Sequence, residues 1–141
     1  MTVVLVIVVL FLLFWDVLWW GLGVKPMFPG ELKRLLRSSG GVRPVLVDVR
    51  TQFEYDLFHI HGAVNEPAIL HTPRHLQNID RDAPIVVICM SGHRSPIAAY
   101  FLRRQGYKNV SHLVWGMLSW VVSRGSTVSS EDPAADQHKP R

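Results

Sequence analysis

A run of apolar residues from Thr2 to Gly23, with Asp16 as its one charge, sets what this chain can become. About 20 such residues cross the hydrocarbon core of a bilayer. The run is apolar on every face, and a domain made from the rest of a 141-residue chain could not cover it. That argues against a buried core helix. A cleaved signal peptide fits poorly, because no Lys or Arg precedes the run and Gly21-Leu22-Gly23 is a poor small-x-small cleavage site. The reading is a retained anchor over residues 1–24, meeting the membrane through residues 2–23. Asp16 lies past the middle, where a carboxylate can lean toward the interface. Trp15, Trp19 and Trp20 gather at the same end, as an interfacial aromatic belt does.

Orientation follows from charge. Lys25, Lys33, Arg34 and Arg37 follow the run closely, which puts the rest of the chain on the cytoplasmic face of the inner (plasma) membrane as a single-pass protein. The single cysteine, Cys89, excludes an intramolecular disulfide and fits a reducing compartment. A net charge of +4, with no basic stripe interleaved with aromatics, argues against a nucleic-acid partner.

Beyond the anchor, residues 25–124 read as one domain and 125–141 as a disordered tail poor in apolar residues. Lys25 to Gly30 reads as a linker punctuated by Pro and Gly. Glu31 to Arg37 has Leu32, Leu35 and Leu36 on one helical face. Pro44 to Val49 is a core strand, and Thr51 with Glu54 forms a capping box for a helix over Gln52 to Phe58. Ala68 to Ile79 reads as helical in part, broken at Pro73. Ile85-Val86-Val87-Ile88 is a second core strand, followed by a helix to Gln105. Asn109 to Leu113 is a short strand and Gly116 to Val122 a last helix. Strands alternating with helices predict an α/β fold, a small parallel sheet with covered faces.

In such sheets ligands bind beyond the carboxyl ends of the strands, and Cys89 sits at one. The loop Cys89-Met90-Ser91-Gly92-His93-Arg94 opens into a helix, with Ser95 as its N-cap and Pro96 at the first helical position. N–H groups of the loop and of the first turn carry partial positive charge toward one spot, and Arg94 adds to it. A thiolate placed there is stabilised and nucleophilic. A lone Cys after a Val/Ile strand also fits a small buried hydrophobe. The Gly, Arg and Ser-Pro that follow favour the reactive thiol.

Four pieces, in order, resemble the rhodanese family. Val47-Asp48-Val49-Arg50 with Glu54-Tyr55 is similar to its early strand and helix, and His59-Ile60-His61-Gly62-Ala63-Val64-Asn65 to its H-I-P-G-A-I-N turn. Cys89 to Arg94 resembles its C-x-x-G-x-R active-site loop, and Gly116-Met117-Leu118-Ser119-Trp120 its closing G-M-x-x-W helix. The resemblance implies a rhodanese fold and a sulfurtransferase. Cys89 would take a sulfane sulfur from a small donor anion such as thiosulfate, become a persulfide, and pass it to a thiol or protein acceptor. Met90, Ser91, Gly92, His93 and Arg94 would bind the substrate. No metal or organic cofactor is implied.

Other residues carry weaker expectations. Asp48, Arg50 and Glu54 fit catalytic acids or bases, and fit better a structural ion-pair and capping cluster. His71 and His75 have metal-ligand spacing, but Pro73 lies between them and no third ligand is evident. His93 serves equally as a tuner of the sulfur or as exposed decoration. Trp115 and Trp120 read as packing residues. Two competing functions remain: a non-catalytic rhodanese-like binding module, and a phosphatase or oxyanion reductase. Related phosphatases of the cell-cycle dual-specificity type need a longer loop than Cys89 to Arg94 to wrap a phosphate, and a reductase lacks its resolving cysteine here.

Overall fold

The computed structural model describes residues 1–67 and 74–131. Five strands form one parallel sheet in the order β1-β5-β4-β2-β3. They are β1 (Lys25–Met27), β2 (Val45–Asp48), β3 (Val64–Asn65), β4 (Ile85–Ile88) and β5 (Val110–Leu113). The helices are α1 (Thr2–Gly21), α2 (Pro29–Arg37), α3 (Gln52–Leu57), α4 (Arg94–Arg104) and α5 (Gly116–Val122). A short 3₁₀ turn covers Arg74–Leu76. The expected part-helix from Ala68 falls largely on residues 68–73, outside the described ones.

The central strand β4 is buried along its whole length. Its alternation sorts the core into two layers. Ile85, Val87 and Cys89 pack with Ala98, Ala99 and Leu102 of α4. Val86 and Ile88 pack with Leu32, Met117 and Trp120 from α2 and α5. Continuous β-branched strands suit a parallel sheet covered on both faces. From β2 the chain moves outward to β3, and from β4 it moves the other way to β5. The crevice between the carboxyl ends of β2 and β4 is thus the topological switch point, where such sheets bind ligands.

Three expectations change. Lys25 to Met27 is not a linker: it pairs in parallel with Ser111 to Leu113 as an edge strand, and Pro26 is tolerated because the other side of that strand is unpaired. The helix after Cys89 starts two residues before the position that a Ser95 cap requires. His93 is its N-cap and makes no side-chain capping bond. Pro96 remains harmless in the first turn, where a backbone N–H would have no acceptor within the helix and its absence costs no bond. The tail begins on the domain: Val128 exchanges two backbone hydrogen bonds with His59, each 2.9 Å, and Ser130 Oγ donates to Asp56. Residues 132–141 lie outside the described ones.

α1 is one 20-residue helix with apolar side chains exposed along most of its length. It is joined to the sheet with almost no slack, since Val24 is fully buried and β1 starts at Lys25. Its C-terminal half, from Leu12 onward, rests on the domain. Trp19 meets Tyr100 of α4 with ring centroids 6.0 Å apart, and Trp15 meets His93 at 5.8 Å.

Candidate active site

Cys89 follows β4 directly and is fully buried. The Gly92 N–H donates to its Sγ at 3.0 Å. The thiol donates to Ser95 Oγ at 3.3 Å, and that hydroxyl can rotate to donate back once the sulfur is ionised. The first turn of α4 starts at Arg94 and its N–H groups, unpaired within the helix, add partial positive charge at the loop.

The loop is pinned from behind by the first turn of α5. The Met117 N–H donates to the Cys89 carbonyl at 2.8 Å and the Leu118 N–H to that of Met90 at 3.1 Å. This close approach needs glycine on both sides. A Cβ at Gly116 would fall 2.0 Å from the Cys89 oxygen, and one at Gly92 would fall 2.7 Å from the Trp115 nitrogen. Gly92 also has φ +85°, a left-handed conformation that favours glycine. Trp115 adopts φ +58° at the corner and leaves its ring half exposed.

The other loop residues separate by role. Met90 turns to the opposite core layer. Ser91 Oγ lies 3.1 Å from His93 Nδ1. Arg94 Nη2 lies 3.2 Å from Glu54 Oε1, so the loop cation is paired across the switch-point crevice. Burial of Glu54 pushes its carboxyl up. Hydrogen bonds from the Thr51 N–H and hydroxyl, with Arg94, outweigh this and hold it below the usual range. The capping box on α3 is formed as the spacing predicts.

Asp48 and Arg50 form a fully buried ion pair, 2.8 Å from Nη2 to Oδ2, and Arg50 Nη2 also donates to the Phe58 carbonyl at 2.6 Å. This ties the end of β2 to the turn after α3. The buried Arg50 Nη1 has no hydrogen-bond partner among the described residues. His75 contacts Glu66, and His71 is outside the described residues. Trp120 is buried in the core and its indole N–H donates to the Ser126 carbonyl at 3.0 Å. A cavity of about 760 Å³ is lined by Arg43, Tyr55, His59 and Asn65 among others and includes no residue of the Cys89 loop.

Residues 28–123 match the family described as Rhodanese-like domain. This chain belongs to the rhodanese-like family. The match starts after α1. Thiosulfate sulfurtransferase GlpE of Pseudomonas fluorescens (strain SBW25) is 33% identical over 102 residues, covering 72% of this chain and 90% of GlpE. The putative sulfur carrier protein YrkF of Bacillus subtilis (strain 168) is 36% identical over 75 residues, 53% of this chain and 40% of YrkF. The rhodanese-related protein of Thermoplasma volcanium superposes with a TM-score of 0.59 at 26% identity, over 74% of this chain and 97% of that one. The chain spans a minority of the length of several curated relatives, 20% in the case of adenylyltransferase and sulfurtransferase uba4 of Ogataea parapolymorpha. Family membership and these relatives support sulfur transfer at the level of the family.

Sequence reasoning missed three parts of the site. Ser95 was assigned to helix capping, and its hydroxyl instead faces Sγ. Gly116 carries the tightest backbone approach, to a carbonyl 27 positions earlier in the chain. Trp15 and Asp16 come from the anchor segment, and nothing in linear order brings them to the loop.

Proposed function

We propose that this protein is a membrane-anchored sulfurtransferase that works through a persulfide on Cys89. Cys89 sulfur attacks the outer sulfur of thiosulfate or a similar small anion. A new S–S bond forms, the donor's S–S bond breaks, and sulfite leaves with the bonding pair. A thiol or protein acceptor then takes the outer sulfur and returns Cys89. The single observation that supports this most is Sγ seated at the carboxyl end of β4, receiving the Gly92 N–H at the N-terminus of α4. Donors fixed there before reaction favour negative charge on the sulfur chain without reorganising.

Incubation of the full-length chain with thiosulfate in the presence of phosphatidylcholine liposomes, followed by intact mass, tests the proposal. One added sulfur on the wild type and none on Cys89→Ser is the expected result. No added sulfur on the wild type would leave the second reading, a non-catalytic binding module, which the complete burial of Cys89 favours. Turnover of an aryl phosphate would support a phosphatase, which the Cys89–Arg94 spacing disfavours. The proposed location is the inner membrane with the domain in the cytoplasm, supported by the apolar α1 and the cations that follow it.

A further inference from the structure

The seat that α1 takes on the domain raises two difficulties at once. Leu12, Trp15, Asp16 and Trp19, spaced by three and four, are its partly buried residues and form one face. Leu12, Trp15 and Asp16 close with Ser91, Gly92, His93 and Trp115 around a crevice of about 10 Å³. Such a space holds at most a single water, so neither a sulfur donor nor a thiol acceptor enters it. Cys89 below it has no exposed surface. The second difficulty is length. With the helix seated from Leu12 onward, Thr2 to Phe11 project beyond the domain, roughly 15 Å of helix. That is about half of the ~30 Å hydrocarbon core, so the projecting part of the helix is too short to cross it.

We propose that α1 has two mutually exclusive seats, one over the Cys89 loop and one across the bilayer, and that the active site opens only when the helix moves from the first to the second. One motion removes both difficulties. This rests on the anchor reading given above.

The seat over the loop is built to be left. No residue of α1 is fully buried in it. The indole Nε1 atoms of Trp15 and Trp19 are covered yet have no hydrogen-bond partner among the described residues. A membrane interface offers both indoles water and headgroup acceptors. The joint lies at Gly21 to Gly23. A side chain at Gly21 would meet nothing within 4 Å, and Gly23 has φ +87°. Val24, in the core, fixes the far side of the hinge.

The test alters only the projecting part of the helix. Val6 and Val9 are exposed and outside the seat, so Val6→Lys with Val9→Lys leaves the seat intact while opposing insertion. Each full-length chain is mixed with phosphatidylcholine liposomes and treated with iodoacetamide. Because Cys89 is the sole cysteine, adduct mass reports it alone. The double-lysine chain is expected to react at least about tenfold slower than wild type, because each lysine penalises insertion. Adding Trp15→Ala and Trp19→Ala to it is expected to restore the fast rate. Equal rates for wild type and the double-lysine chain, or a slow rate that the Trp substitutions leave unchanged, overturn the proposal. Co-flotation of wild type with the liposomes scores the anchor separately: flotation with a sealed Cys89 refutes the gate alone, and no flotation refutes both. Alkylation needs no sulfur transfer, so a failed persulfide reading leaves the result interpretable.

Discussion

Arg94 meets a carboxylate before it meets a substrate. Its pairing with Glu54 at 3.2 Å spends part of the charge that the loop offers a donor anion, and fixes the guanidinium at the crevice mouth. Arg94→Ala is expected to lower kcat/KM for thiosulfate by roughly tenfold, about 1.4 kcal/mol, because it removes a half-exposed steering charge. Glu54→Gln frees the same cation and is expected to raise kcat/KM. Steady-state assays at low salt check both, and an unchanged value for Arg94→Ala would exclude steering. Asp48 makes a different kind of pair. Asp48→Ala leaves the fully buried Arg50 with no counter-charge, and is expected to cost about 3–5 kcal/mol in urea unfolding. This structural role was legible before the fold, because an acid and a base two apart at a strand end readily pair. The role of Ser95 was not. A serine before a proline at a helix start has one strong local meaning, the cap, and only the path of the loop shows that its hydroxyl turns to the sulfur instead.

Among the elements, β4 and α5 were readable because each carries its own signal, an unbroken β-branched run and an apolar helical face. Strand β1 carries none. Lys25-Pro26-Met27 has a proline at its centre and no strand pattern, and its conformation comes from pairing with β5, more than 80 residues later. α5 does more than close the fold, since its first turn holds the carbonyls of Cys89 and Met90. Gly116→Ala places a Cβ against the Cys89 oxygen, so it is expected to destabilise the fold by about 1–3 kcal/mol and to slow sulfur loading of Cys89, read by mass. β5 contributes a pH dependence. His112 is fully buried, neither ring nitrogen has a hydrogen-bond partner among the described residues, and burial lowers its pKa to about 4. The Asp16 carboxylate is 3.6 Å from Nε2, beyond hydrogen-bond reach, and a neutral imidazole makes no ion pair with it. The unfolded chain takes up this proton first as pH falls. Stability is therefore complete above about pH 6.5 and is lost down to about pH 4, by roughly 3 kcal/mol. His112→Leu is expected to flatten that slope in urea titrations across the same range, and a slope as steep as that of the wild type would assign the acid sensitivity elsewhere.

At the scale of the whole molecule, a family domain is joined to a helix that the family match does not include. That the helix is long and apolar enough to cross a membrane was legible from composition alone. Its seat on the domain was not, because an all-apolar segment has no polar face to say which side turns inward. Only Asp16 breaks the pattern, and it lies on the seated side. The joint between the two is short, since Val24 is buried and β1 starts at Lys25. Lys25, Lys33, Arg34 and Arg37 lie on the domain side of α1. Each basic residue close to a span resists translocation, so the domain is expected to remain in the cytoplasm. Protease added to inside-out membrane vesicles is then expected to degrade the domain, and the same protease added to right-side-out vesicles to leave it whole. The reverse pattern would place Cys89 in an oxidising space, where a lone thiol meant to carry sulfur would be exposed to irreversible oxidation. The vesicle experiment therefore decides the orientation without measuring turnover, and sulfur loading of Cys89 is scored separately by intact mass.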